Sequence, residues 1–526
     1  MPISTAPNPL GHLKNNTADW WWKDPGMRKL AAPMLLGFLG AMQTGYDSSI
    51  IVNLQANPLF WIALGTTSPA IIGCVVAANP LGALPGLIPG AFISDRWGRK
   101  FLMIVGYVGL LGASVFLCFA FGAWKHFGAR FFHGIFSGFT SLAGGPYTTE
   151  IAHPRNRAQC TALIQSCQFF GAVVGCWVCY ACWYIEGEWS WRLPLLLQMW
   201  TPILGLALMP FCPESPRWLA SHGRMEEAHR VIAKFHSNGD MNDELVQHEL
   251  KEIRAALEIE RLAKAVKYRS FFATKGNRHR LLIVITCGLG MQMVGNSVIT
   301  FYLVPILLSV GIVDPADQMI YNAGLQMWNW FASMLGALLC ERSGRRPMWL
   351  ISCEGQLISY TVITICSALF AQGSHAASYV VLAFLFVYFF FYAIAFTPLS
   401  LAYAVEILPY TMRSKGLSIF FICSMLSVIL NTFINPIAFD AIAWKWYIFW
   451  IGCILIVGTI MFFYFIETKH RTLEEMAELF DGPSADKNAC VPPPDTAEED
   501  KDKEATQSEL DDNIAQLSFH PRQEGA

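Results

Sequence analysis

The sequence predicts an all-α membrane protein with twelve transmembrane helices in two six-helix bundles. Three observations carry this. Of the 526 residues, 54% are hydrophobic and only 14% charged, and the mean hydropathy is +0.38. Soluble domains carry about a quarter charged residues. Long apolar stretches come as six, a polar gap, then six. Basic residues gather on every second loop.

A span needs about 20 apolar residues to cross about 30 Å of hydrocarbon. Spans 1 to 6 are expected at 30–52, 69–93, 101–122, 128–149, 160–184 and 193–212. Spans 7 to 12 are expected at 281–308, 321–340, 348–371, 378–402, 416–437 and 446–466. The first bundle thus covers 30–212 and the second 279–466, with polar segments at 1–29, 213–278 and 467–526. Gly and Pro interrupt several spans, which membrane helices tolerate better than soluble ones.

The loops after spans 2, 4, 8 and 10 hold Arg96, Arg99, Lys100, Arg155, Arg157, Arg342, Arg345, Arg346, Arg413 and Lys415. The alternate loops hold little beyond Lys125, Arg192 and Lys445. Positive loops stay cytoplasmic. Both termini and the 213–278 segment are therefore expected in the cytosol, and the plasma membrane is the expected location. The polar stretch from Met1 to Lys29 has no short apolar core, so span 1 itself would direct insertion. The Asn15-Asn16-Thr17 sequon would then never meet the glycosylating compartment.

Within 213–278, a helix starts near Gly223. A longer one is expected over 243–268, where Leu245, Leu250, Ile253, Leu257 and Leu262 keep helical spacing. That pattern favours docking on the span ends. Beyond about residue 482 the Pro-, Asp-, Glu- and Lys-rich tail is expected to be disordered. Cys176, Cys179 and Cys182 have a metal-like spacing but no His or carboxylate before Glu186, so they read as small core hydrophobes. A net charge of −2 with no basic face argues against nucleic acid. His126, His133 and His375 are scattered, with no nucleophile–base pattern, so neither an enzyme nor a cofactor is expected.

One internal repeat is plain. Asp95-Arg96-Trp97-Gly98-Arg99-Lys100 follows span 2, and Glu341-Arg342-Ser343-Gly344-Arg345-Arg346 follows span 8. Gly permits the tight turn. The acid can meet a helix N-terminus or an Arg across the loop. With these loops go Gly45-Tyr46-Asp47, Glu150 with Arg157, Pro213-Glu214-Ser215-Pro216-Arg217, Glu406 with Arg413, and Glu467-Thr468-Lys469. In these motifs, from Trp21 to Leu479, the chain resembles the sugar porter family of the major facilitator superfamily. Phe235 to Asp240 and Gly295-Asn296 are similar to the fungal branch with lactose and cellodextrin permeases.

The resemblance implies two bundles rocking about a midplane site, a sugar as substrate and the bilayer as surroundings. The chain is expected to act as a monomer. It also implies that Glu150, Arg157, Glu214, Arg217, Glu406 and Arg413 pair between bundle ends in the outward-facing state. Asp95, Arg96, Arg99, Glu341 and Arg345 of the repeat would belong to the same gate. Gln165 matches the family's sugar-binding glutamine on span 5, and Gln292 with Asn296 matches its glutamine and asparagine region on span 7. Leu401 and Ser424 depart from the common hexose pattern, which suits a different or larger sugar, or a polar non-sugar metabolite.

Charges inside spans are costly and mark function. Asp47 on span 1 and Arg130 on span 4 can pair, as the matching acid and arginine do in the family. Protonating Asp47 would release the pair, giving proton symport; the competing reading is a static structural pair. Neutral polar stripes occur as well. They comprise Gln43 one turn from Asp47, Gln165 and Gln168 on span 5, and Gln292, Asn296 and Thr300 on span 7. Span 8 adds Asn322, Gln326 and Asn329, and span 11 adds Ser424, Ser427, Asn431 and Asn435. Residues three or four apart share a helix face. Amides suit sugar hydroxyls, or they can be interhelical glue. Three other functions compete: a facilitator, a non-transporting sensor of the same fold, and a drug-type exporter. The exporter is disfavoured because the Gly171 to Gly175 stretch lacks a Pro.

Overall fold

The computed structural model describes residues 15–17, 22–66, 68–265, 267–469 and 473–481. Spans 1 to 5 are the helices Pro25–Leu54, Pro69–Trp97, Arg99–Phe119, Ala123–Ile151 and Arg157–Trp183. Span 6 is broken into Trp189–Leu197 and Trp200–Leu208, where the sequence predicts one run. Span 7 is broken more deeply, into Lys275–Met293, Asn296–Phe301 and Leu303–Ser309. Spans 8 to 12 are Pro315–Ser343, Arg345–Ala371, Ala376–Ile407, Tyr410–Ile442 and Trp446–Tyr464. A short helix, Pro58–Leu64, follows span 1 and has no counterpart in the sequence expectation.

By length and apolarity alone, eight described segments could cross a bilayer, one of them containing both spans 11 and 12. Spans 1, 4 and 8 fall short. Each gives up apolar positions to buried polar residues: Gln43 and Asp47, Arg130 and His133, and Asn322, Gln326 and Asn329. Such groups are tolerated at depth where they face protein rather than lipid.

Spans 1 and 5 pack closely because both are notched. A Cβ on Gly45 would overlap the Gln168 carbonyl, and one on Gly171 would overlap that of Met42. Small residues let helix backbones approach where no hydrophobic force between helices exists. Across the two halves, span 5 lies on span 8 and span 2 on span 11. These two contacts are equivalents of one another under exchange of the halves.

Between spans 6 and 7 lie the helices Pro216–Ser221, Met225–His236 and Glu244–Ala265. The last carries the expected amphipathic face, with Leu245, Val246 and Leu250 buried. His236 fastens this linker to span 4, with Nδ1 2.8 Å from Glu249 and Nε2 3.1 Å from the Ile151 carbonyl. Asn238 accepts from the Gly26 N–H at 2.8 Å and donates to Asp24 at 2.9 Å, tying in the start of span 1. Helix Glu244–Ala265 also reaches span 11 of the other half. Part of the segment after span 12 is ordered. Helix Leu473–Asp481 lies against span 7, held by Arg280 to Asp481 at 2.7 Å. The rest of the tail expected to be disordered lies outside the described residues.

Candidate functional site

A cavity of about 760 Å³, its mouth included, lies between the halves. Span 1 lines it with Gly45, Ser48 and Ser49, and span 5 with Gln168, Phe169 and Ala172. Span 7 adds Met291, Gln292, Asn296 and Thr300; span 8 adds Gln326 and Asn329; span 10 adds Phe389, Tyr392 and Thr397. No lining side chain is charged. Amides and hydroxyls alternate with aromatic faces, a wall suited to a neutral molecule rich in hydroxyl groups. Asn329 is buried, and among the described residues its amide oxygen has no partner. Buried polar atoms are seldom left so, and here the amide belongs to the cavity wall.

Span 7 breaks beside this wall. Gly295 stands at φ +87°, a conformation that costs other residues energy. The break frees carbonyls, and three tyrosine hydroxyls donate to them. Tyr360 of span 9 reaches Gly295 at 2.7 Å. Tyr388 and Tyr392 of span 10 reach Val294 at 3.0 Å and Met291 at 3.1 Å. Non-helical backbone survives at membrane depth only when protein satisfies it in this way. The tyrosines were missed in the sequence, because an aromatic-rich span reads as lipid-facing or core. The pairing of Gly295 with Asn296 was the one available signal.

Asp47 of span 1 is not among the residues that line the cavity. Arg130 Nη2 is 3.5 Å from its Oδ2, and both side chains are almost fully buried. Asn79 of span 2 donates to the same oxygen. Gln43 belongs with this cluster. It is fully buried between His133 and Thr201 rather than on the cavity, which corrects its expected place in the substrate site. Helical spacing accounts for this, since a residue four before Asp47 shares its face. Asn431 is not on the wall either; its amide donates to the Ser427 carbonyl one turn back on the same helix at 2.8 Å and lies 4.0 Å from the Met293 sulfur of span 7. Gln168, Gln292, Asn296 and Asn329 do line the cavity. The side chain of Gln165 lies outside the described ones. Leu401 and Ser424 are not among the lining residues.

At the end away from the linker, the halves touch. Asn322 of span 8 donates to Asn53 of span 1 at 3.0 Å, and Gln55 donates to the Phe301 carbonyl at 2.9 Å. At the linker end each half has an ion pair of its own. Arg99 lies 3.6 Å from Glu150, and Arg345 lies 3.0 Å from Glu406. Glu214 accepts from the Arg99 and Lys100 N–H groups at 3.0 and 3.2 Å. Glu467 accepts from those of Arg345 and Arg346 at 2.9 and 3.1 Å. The acid at each helix N-terminus is therefore not the repeat's own. The Asp95 carboxylate is largely exposed and lies 3.3 Å from Arg99, while its carbonyl accepts from the Trp218 indole N–H at 3.0 Å. Arg157 lies 4.0 Å from Glu249 of the linker, Arg96 is exposed, and Arg217 and Arg413 are half-buried at the same end. The side chain of Glu341 lies outside the described ones. The cross-half pairing was expected of the outward-facing state; these ion pairs do not include one, and the halves are joined at the far end.

Two helical halves joined at one end around a polar cavity define a membrane carrier that works by alternating access. The chain belongs to the sugar (and other) transporter family, whose profile matches residues 34–480. It is 28% identical to the MFS-type transporter oryC of Aspergillus oryzae over 83% of this chain and 82% of that one. It is also 28% identical to a high-affinity glucose transporter of Kluyveromyces lactis, over 85% of this chain and 84% of that one. Among solved structures, the proton:xylose symporter XylE bound to 6-bromo-6-deoxy-D-glucose superposes with a TM-score of 0.69 at 20% identity. That match covers 86% of this chain and 99% of XylE. Its inward-open form, from E. coli, gives 0.71 at 20% identity, over 85% of this chain and 99% of that one.

Proposed function

We propose that this chain carries a neutral sugar across a membrane, with entry of a proton at Asp47 as the drive. The observation that supports it most is the division of span 1. It contributes Ser48 and Ser49 to an uncharged polar cavity, and it also holds a buried acid against Arg130. A proton on Asp47 weakens its hold on spans 2 and 4 and leaves span 1 free to shift against the cavity. Gln168, Gln292, Asn296 and Asn329, with Gln165, are the sugar-binding groups, and Phe389 and Tyr392 offer faces to sugar C–H groups. The halves 30–212 and 279–466 are the moving units. The linker end faces the cytosol, on the strength of its basic loops, and the membrane is the plasma membrane. The relatives named for glucose and the xylose symporter of like fold support the substrate class.

Purified full-length chain in vesicles should take up at least one of radiolabelled D-glucose, D-xylose or lactose, and an inward proton gradient should raise accumulation. Uptake that ignores the gradient would make the protein a facilitator, and uptake of none of the three would remove the sugar reading.

A further inference from the structure

The pair formed by Asp47 and Arg130 has a third member. His133 lies on span 4 one turn beyond Arg130 and is completely buried. Its Nδ1 is 3.9 Å from Asp47 Oδ1, and among the described residues neither atom has a hydrogen-bond partner. Its Nε2 is 3.3 Å from the Gln43 amide nitrogen. The Gln43 amide oxygen accepts from the Thr201 hydroxyl of span 6. The amide is thereby oriented, with its N–H groups toward the ring. A ring nitrogen that accepts carries no proton, and a neutral imidazole has a single N–H. The partner of one nitrogen decides which form is present. The proton therefore sits on Nδ1, the nitrogen 3.9 Å from the Asp47 carboxylate. The charges acting on the ring are Asp47 and Arg130; span 2 brings the neutral Asn79 to Asp47 and span 6 the neutral Thr201 to Gln43, and the buried His126 of span 4 also feels the charge of Arg130.

We propose that His133, oriented by Gln43 and Thr201, is a positioning residue for the proton step at Asp47. This rests on the reading of Asp47 as proton carrier. With Asp47 ionised, the Nδ1–H supports the carboxylate. When the pair takes up one proton from solution, the carboxyl O–H points at a bare Nδ1 and the ring's N–H is on Nε2. The count balances: one proton is gained and one N–H changes places. The Gln43 amide then turns its oxygen to Nε2–H and its N–H to Thr201, whose hydroxyl changes from donor to acceptor. Protonation on span 1 is thereby felt on span 6.

The test follows the Asp47 carboxyl by pH-difference infrared spectroscopy on the purified full-length chain, as the band that Asp47→Asn removes. In His133→Leu the pH of half-height should rise by about one unit, a tenfold change in proton affinity. His133→Asn, which keeps an N–H donor, should stay near the wild type. Gln43→Leu, which touches neither charge, should move the band in the same direction by less. Folded His133→Leu and Gln43→Leu that both titrate like the wild type would overturn the proposal. Should His133→Leu fail to fold, Gln43→Leu decides it alone. If Asp47→Asn removes no band that titrates in the wild type, the proton-carrier reading itself falls, a separate failure.

Discussion

Glu214 and Glu467 hold equivalent places in the two halves: each carboxylate takes the first N–H groups of a helix, span 3 for one and span 9 for the other. Carboxylates at helix N-termini are favoured by the free N–H groups and the helix dipole. Each helix start is turned by a glycine at positive φ, Gly98 and Gly344, whose added Cβ would run into the carboxylate.

The two acids differ in burial, and that gives a prediction with opposite signs. Burial raises the Glu214 carboxyl above its ordinary range, despite three backbone N–H bonds. At Glu467 burial works the same way, but the N–H bonds from Arg345, Lys469 and Arg346 outweigh it and lower the carboxyl. A lowered acid contributes stability above its ordinary range, lost as pH falls through its folded value. A raised acid contributes stability below its ordinary range, lost as pH rises through its folded value. Glu467→Gln should therefore lower the melting temperature at neutral pH and not in acid, whereas Glu214→Gln, which mimics the protonated acid, should raise it at neutral pH and leave it unchanged in acid. Thermal melts across pH in detergent check this.

Asp47→Asn should abolish uphill accumulation in vesicles and leave exchange partly intact, since the amide keeps the shape of the protonated acid but releases no proton. Arg130→Ala should impair both modes, because it leaves the acid buried without its cation. A static pair would instead lose folding in both variants, with rescue by the double neutral substitution.

Gln168→Ala and Gln292→Ala should each weaken sugar binding by about 1 kcal/mol, roughly fivefold, without loss of folding. Gln43→Ala should leave binding nearly unchanged. Equilibrium binding of the transported sugar to the three purified variants would separate cavity wall from buried cluster.

Tyr360→Phe and Tyr388→Phe should each destabilise the protein by about 1–3 kcal/mol, because a carbonyl freed by the break at Gly295 loses its donor out of reach of water. Melting temperatures of the variants against the wild type measure it. An unchanged value would mean that these carbonyls find another partner.

Much of this was readable in the sequence. The twelve helices, the repeat after spans 2 and 8 and the sugar-transporter family all came from apolar length, loop charge and motif. The face of each stripe did not. Spacing says which residues share a side of a helix, not which neighbour that side meets. Gln43 illustrates this, since its four-residue step from Asp47 sends it to the charge pair. Asn322 is another case, as its stripe is split between the far-end contact and the cavity. The breaks in spans 6 and 7 were hidden for a different reason. Their apolar composition continues across them, and the hydrogen bonds that make the break at span 7 tolerable come from tyrosines about 65 or more residues away.

Asn322→Leu should loosen the far end by about 1 kcal/mol, enough to raise the open fraction roughly fivefold. Labelling of a cysteine placed at Ser49 by an impermeant reagent from the far side reads that fraction.

The hydrogen bonds that close the far end join amides and a backbone carbonyl, and in the proposed gate the contact that closes the linker end would join carboxylates and guanidinium groups. Dissolved ions weaken exposed attraction between charges over about 8–10 Å and leave a neutral amide bond almost untouched. The two faces of the carrier thus answer to different solutions. Salt added on the linker side slows or biases its closing, while the same salt on the other side changes little. With the linker end in the cytosol, as proposed, a cell that holds its internal ionic strength steady would steady the returning half of the cycle, whatever the medium outside.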